Sequence, residues 1–403
     1  MTVQTTSNLS NSVRTQYLDV YHEAADFQRV YDICAVAAGK PYGEVMSVLE
    51  KGSSIQLNFL SDLAIATANI SQTADLNPVT MRDATATVTP VSRANAIQWS
   101  QQLDIQNYTN YAASRFKKIG KNMMESVDWR AAEIALTGNL LKRAAARASL
   151  DAGTTAHNLS EAVFSEMETL IQVLKVPAFL KNGRPQWYSI LHPEAYYDLR
   201  SSGNVESVGL YQKSEIILNW ELGALGPFKI MVTPWAKVFG AAGADHASNV
   251  DTTLSSAANA LAKTIVVASA TNITSGDYLT IGTEETGGTF QPVNERVKVS
   301  DAYVSGTTID IIGEGANGGL RFDHASAVAV RNGDSVFPVL FAGPESMAKV
   351  YATEVGEYGE IVGPKEQGLV NQFSSLGWKW YGGYGLWTDS SLARAEATSS
   401  LES

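Results

Sequence analysis

The chain has 403 residues, 45% of them apolar and 18% charged, with a formal net charge of −11 from 41 acidic and 30 basic side chains. That length is too great for one simple core and points to two or three folding units, and no stretch approaches the ~18 apolar residues of a membrane span. The acidic balance argues against tight nonspecific nucleic-acid binding, which depends on clustered Lys and Arg releasing counterions.

The N-terminal stretch MTVQTTSNLSNSV is polar and lacks the basic start and apolar run of a secretory signal, so synthesis in a cytosol is expected. Residues 1–13 read as disordered and 16–38 as helical. The stretch 39–51, with Tyr42, Val45, Met46, Val48 and Leu49, reads as a short second helix. Cys34 is the one cysteine, which excludes an intrachain disulfide; it reads as a buried thiol on a helix. Ile55, Leu57 and Phe59 alternate, as do Ile97 and Trp99, which predicts two β-strands. The polar segment between them, with Pro78 and Pro90, reads either as a long two-stranded arm covered by a neighbour or as a surface loop.

The strongest helical pattern follows. Tyr108, Ala112, Phe116, Ile119, Met123, Val127, Ala131 and Ile134 recur every three or four residues, with Asp104 or Asn107 as candidate caps and Thr137-Gly138 as a stop. About thirty residues at ~1.5 Å each predict a rod roughly 45 Å long. Lys142, Arg143 and Arg147 read as a second, alanine-rich helix ending near Asp151. An amphipathic helix is expected from Asn158 or Ser160 to Leu174, then a turn at 181–185 and a buried strand at 186–191. His192-Pro193 introduces a helix over 194–200. Residues 226–232 and 336–341 read as strands, and Gly343-Pro344 restarts a helix over 345–351. Strands alternating with helices indicate a mixed α/β layer.

Residues 252–331 differ in kind. Val293, Val297, Val299 and Tyr303 share parity, as do Ile309 with Ile311 and Val328 with Val330, and glycine turns punctuate the runs. Short strands of this sort predict a small β-sandwich or barrel inserted into another domain.

No chemistry-bearing cluster emerges. His22, His157, His192, His246 and His324 are scattered without metal-ligand spacing, and no GxSxG elbow is present. Neither catalytic, cofactor-binding nor metal-ligating residues are expected. Gly313-Glu314-Gly315-Ala316-Asn317-Gly318 matches the GxGxxG string, but the alternation that follows is that of a strand, whereas a dinucleotide site needs a helix there. Glu354, Glu357 and Glu360 near Asp389 read as solvated charge on a glycine-rich loop. Arg115, Lys117, Lys118 and Lys121 read as intersubunit ion pairs or a wet face, with a nucleic-acid approach as the alternative. The run 378–384, Trp-Lys-Trp-Tyr-Gly-Gly-Tyr, reads as a core strand with alternating rings.

The order of the parts resembles the major capsid proteins of tailed bacteriophages, the Hong Kong 97-type fold, in its podovirus-type branch. The likeness rests on WYSILHPEAYYDLRSS at 187–202, ELGALGPFKIMVTPWAKVF at 221–239, VFPVLFAGPESMAKV at 336–350 and LGWKWYGGYGLW at 376–387. The resemblance implies an α+β architecture with an N-terminal arm and helices (1–52), an extended β-hairpin loop (53–100) and a peripheral domain with a spine helix (101–157). An axial domain (158–245 and 334–403) would be interrupted by the β-rich insert (246–333). It further implies a non-enzymatic shell subunit, forming hexamers and pentamers of an icosahedral virion assembled in the host cytoplasm. Such a shell would enclose double-stranded DNA with weak contact, beside portal, scaffolding and cement or decoration proteins. Some relatives join subunits through Lys–Asn bonds; no lysine lies in 52–114, which excludes a lysine crosslink from the arm. Alternatives are an encapsulin-like cellular shell, an enzyme whose residues converge only in the fold, and a surface-binding protein acting through the insert.

Overall fold

The computed structural model describes residues 30–37, 54–60, 63, 65, 80–106, 112–144, 146–181, 184–201, 224–239, 250–282, 293–332, 335–344, 346–352, 355–357, 359–368 and 371–402. The expected disorder of 1–13, the helix over 39–51, most of the one expected over 16–38, and the turn at 182–183 lie outside them. The chain divides into two compact units, Met1–Ile134 with Met347–Trp387 and Ala135–Ser346 with Thr388–Ser403.

The first unit is organised by one long strand, Phe373–Leu386. It pairs antiparallel with Val91–Ser100 along ten residue pairs, with Glu360–Gln367, and with Met347–Tyr351, which in turn pairs parallel with Ala35–Ala37. Leu376, Trp378 and Trp380 are buried in alternation, as the sequence pattern requires. Glycines occupy the close approaches: a Cβ on Gly377 would stand 2.8 Å from the Ala96 methyl, and one on Gly385 would collide with Val88.

The long helix is described over Ala112–Ala135, whose 24 residues give about 36 Å; Asn107 and Tyr108, where the rod was expected to begin, lie outside the described residues. Ile119, Met123, Val127 and Ala131 of the apolar stripe are buried, while Phe116 is exposed. Asn122 Oδ1 on this helix accepts from Trp378 Nε1 (2.8 Å) and Asn95 Nδ2 (3.2 Å), so helix and sheet share a polar pin at the edge of the core. Asp104 does not cap the helix. It lies in the short helix Gln101–Gln106 and accepts from Trp99 Nε1 (2.5 Å) and Arg115 Nη1 (2.8 Å).

Three expected helices are strands where they are described. Tyr31–Cys34 is a 3-10 turn and Ala35–Ala37 a strand, held by Asp128 Oδ1, which accepts the amides of Val30, Tyr31 and Asp32 at 2.9–3.2 Å. Met347–Tyr351 is a strand because it has partners on both edges. Leu140–Lys142 is a strand because it adds to Leu392–Ala397 in the second unit, and only the 3-10 turn Arg147–Ser149 remains of that helix. In each case non-local hydrogen bonds outweigh a weak helical preference. The expected hairpin is also re-paired. Ile55–Leu60 pairs with Asp83–Val88, and Val91–Ser100 belongs to the main sheet. Pro90 between them has no N–H to donate, so the ladder breaks there.

The second unit contains a sheet in the order Leu140–Lys142, Leu392–Ala397, Phe337–Ala342, Arg184–Leu191, Phe228–Val232, Ala224–Leu225, with Phe179–Lys181 also on Arg184–Leu191. The helices Glu161–Val173 and Pro193–Ser201 contribute Phe164, Met167, Ile171, Ala195 and Leu199 to a core with Trp187, Phe228, Phe337 and Phe341. The rings of Phe164, Phe228 and Phe341 meet edge-on at 4.9–5.8 Å. Met347–Trp387 groups with the first unit, where its longest ladder is with Val91–Ser100.

The insert leaves this sheet at Phe239 and returns at Val336, and these two residues bridge each other. Between them, strands run in the order Val250–Thr253, Ala329–Asn332, Tyr278–Ile281, Glu295–Val299, Thr308–Ile312, Thr264–Val266. Backbone bonds from Ser255 N to Val266 O and from Ala268 N to Thr253 O, both 2.8 Å, join the first strand to the last and close a barrel. Val297, Val299, Tyr303, Ile309, Ile311 and Val330 fill it, while Val293 is exposed. Arg296 ties the barrel to the helix Pro193–Ser201 and to the C-terminal turn Ser400–Glu402. It is bidentate to Glu194 (3.0 and 3.2 Å), paired with Glu402, and lies over the Tyr278 ring.

Candidate functional site

Most of the described residues singled out for possible chemistry are occupied in holding the fold. Cys34 is buried, and burial, reinforced by Asp128 and Asp32, pushes its thiol up to about 12, which removes it as a nucleophile at neutral pH. His192 receives the Glu194 amide on Nδ1 (3.3 Å) and stacks on Phe337 at the entry of its helix. Burial, with Arg296 nearby, pulls it down to about 3. His157 Nδ1 accepts the Asp151 amide (2.9 Å), and His324 Nε2 lies 2.6 Å from Glu295 inside the barrel. His22 and His246 lie outside the described residues. Among the described residues, no group of three His, Cys, Asp or Glu side chains could hold a metal ion.

The GxGxxG string forms a tight 3-10 turn at Ala316–Gly318, with Asn317 at φ 60°, and the next strand is Ala329–Asn332. Gly313 N donates to Gly318 O, and a Cβ on Gly315 would overlap the Leu320 carbonyl. The glycines therefore serve backbone packing, as the alternation after them predicts. Of the acidic run, Glu354 lies outside the described residues, and the other two differ. Glu357 binds Lys349 Nζ (2.7 Å), which also binds Asp32 (2.6 Å), whereas Glu360 pairs with Lys379 at the surface. Asp389 accepts from Asn139. Arg115 is buried over Trp99 rather than presented to a partner, while Lys117 and Lys118 are exposed.

What remains without an internal role is apolar surface. Ile55–Leu60 and Asp83–Val88 form a sheet of their own, rooted where Val88 packs on Ala348 and Val350. Beyond this root, Leu63, Ile65 and Met81 are 57%, 90% and 47% exposed. In the second unit, Val173 at the end of the helix Glu161–Val173, with Leu174 and Leu180 in the segment after it, stands in water. Exposed apolar side chains grouped in this way mark contact surfaces between molecules. The hairpin was legible in sequence as a strand followed by a long polar stretch. The 173–180 surface was missed; its one signal is an apolar run, Val-Leu-Lys-Val-Pro-Ala-Phe-Leu, that outlasts the amphipathic period.

No family model matches the sequence, and no curated relative matches it. Solved structures do. The capsid structure of the cyanophage P-SCSP1u is similar over 96% of this chain and 93% of its own, with a TM-score of 0.54 at 9% identity. The acidic stable capsid structure of Helicobacter pylori bacteriophage KHP30 is similar over 99% of both chains, with a TM-score of 0.51 at 7% identity. With a long helix beside a sheet, a separate hairpin and a second helix-and-sheet unit carrying an inserted barrel, the chain has the α+β, Hong Kong 97-type fold of tailed-phage capsid proteins.

Proposed function

We propose that the chain is a major capsid subunit that assembles with copies of itself into hexamers and pentamers of an icosahedral phage head around double-stranded DNA. The observation that carries this reading is likeness to phage capsid subunits along nearly the whole of both chains. The exposed apolar residues of the hairpin support it, since a two-stranded ribbon gains little stability alone and is ordered by a covering neighbour. A net charge of −11 suits a wall that encloses DNA without gripping it. In this reading the barrel decorates the outer face, because its entry and exit strands are adjacent and a closed sheet offers no edge for pairing. Portal, scaffolding or cement proteins would be partners of the assembled shell, and the subunit's work is structural rather than catalytic.

Negative-stain microscopy of the purified protein tests the reading. Closed shells or rings of five and six subunits are expected, and replacing 61–82 by a short turn should leave folded subunits that no longer close. A monodisperse monomer at high concentration would refute it. A reconstruction with the barrel facing inward would refute the decorating role alone.

A further inference from the structure

Glu396 stands in the strand Leu392–Ala397 with its side chain wholly enclosed. Three guanidinium groups converge on it: Arg143 Nη1 at 3.1 Å, Arg147 through Nε at 3.2 Å and through Nη2, and Arg394 Nε at 3.3 Å. Arg147 and Arg394 are 13% and 10% exposed, whereas Arg143 is 35% exposed and reaches water. One carboxylate against three guanidiniums leaves a formal charge of +2 in a largely dry place. The neighbouring Lys142 is paired with Glu166. Arg394 Nε and Nη1 are buried with no hydrogen-bond acceptor, and Glu396 is the sole carboxylate acting on that group. Buried charge is ordinarily matched, and buried donors are ordinarily bonded.

We propose that Arg143, Arg147 and Arg394 wall a binding site for a small tetrahedral oxyanion, phosphate or sulfate, admitted past Arg143. Guanidinium forks match such oxyanions, and a second anion beside Glu396 would neutralise the excess charge and accept the orphaned Arg394 donors. Two of the three arginines lie below the surface, where a DNA backbone cannot follow. Burial also pulls Arg394 below its ordinary value, and Arg147 and Arg143 add to that against Glu396, as expected for a cation short of counter-charge.

Equilibrium dialysis of the full-length protein against labelled inorganic phosphate at pH 7 tests the site. The expected result is saturable uptake of one ion per chain, displaced by sulfate and not by chloride at matched ionic strength. Arg143→Gln, at the exposed rim, should weaken uptake ~10-fold or more with the circular dichroism unchanged, the loss of one charge-assisted contact. Glu396→Gln, if it folds, should tighten it, which a purely structural network would not do. No saturable uptake, uptake unaffected by Arg143→Gln, or an Arg143-dependent affinity for short duplex DNA without one for phosphate would each overturn the proposal.

Discussion

The sharpest consequence of the second unit's packing is acid lability traceable to one imidazole. His192 is neutral in the fold because its Nδ1 accepts the Glu194 amide, its ring lies on Phe337, and burial with the Arg296 charge disfavours the cation. Its folded value of about 3 lies below the ordinary 6.5. Between those values the unfolded chain binds a proton that the folded chain refuses, so stability falls as pH drops through this window. Each unit of pH costs up to about 1.4 kcal/mol, so lowering pH from 6.5 to 5 costs up to about 2 kcal/mol from this residue. Glu396 acts in the same direction but lower. Burial alone would raise it, yet Arg147, Arg394 and Arg143 outweigh burial and lower it, so its contribution is lost only as pH falls below the ordinary carboxylate range. A measurement at pH 5 therefore lies above the range in which the Glu396 contribution is lost, and comparison with a His192 variant separates out the imidazole. Urea unfolding at pH 7 and pH 5 should show a wild-type loss that His192→Gln largely abolishes. An equal loss in both proteins, or an imidazole that titrates near 6.5 by NMR in the folded chain, would refute the reasoning.

Three further outcomes follow from particular contacts. Phe228→Ala removes a ring that is 1% exposed and touches Phe164, Trp187 and Phe341, and should destabilise the protein by about 3–5 kcal/mol in urea titration. Asp128→Ala strips the acceptor from three amides, so exchange at Val30, Tyr31 and Asp32 should accelerate, with a loss of about 1–3 kcal/mol; unchanged exchange would contradict the assigned contacts. Cys34 should resist maleimide at pH 7.5 in the native protein and react fully in denaturant, as mass spectrometry can score.

How much of the fold was legible depended on how local its causes are. The barrel's inward positions, Val297, Val299, Ile309 and Ile311, were readable because alternation records burial one residue at a time. The helices Ala112–Ala135, Glu161–Val173 and Pro193–Ser201 were readable from an apolar stripe or a helix-entry proline. The candidate surface was half legible: the hairpin was, but its second strand was taken from Ile97 and Trp99 rather than Asp83–Val88. Exposure at Leu63, Ile65 and Leu180 is a relation to the rest of the molecule, and no local pattern carries it.

The sequence by itself determined a small inserted β-sandwich or barrel, the long helix, the absence of metal-ligand spacing and the order of parts that resembles a capsid subunit. Tertiary structure alone decided that Ala35–Ala37, Leu140–Lys142 and Met347–Tyr351 are strands, and that Met347–Trp387 groups with Met1–Ile134. The reason is energetic. A short segment's own preference between helix and strand is worth a few tenths of a kcal/mol per residue, about what one net backbone hydrogen bond to a distant partner can outweigh. Where such partners are hundreds of residues away, as Asp32 and Lys349 are, only the folded chain brings them together.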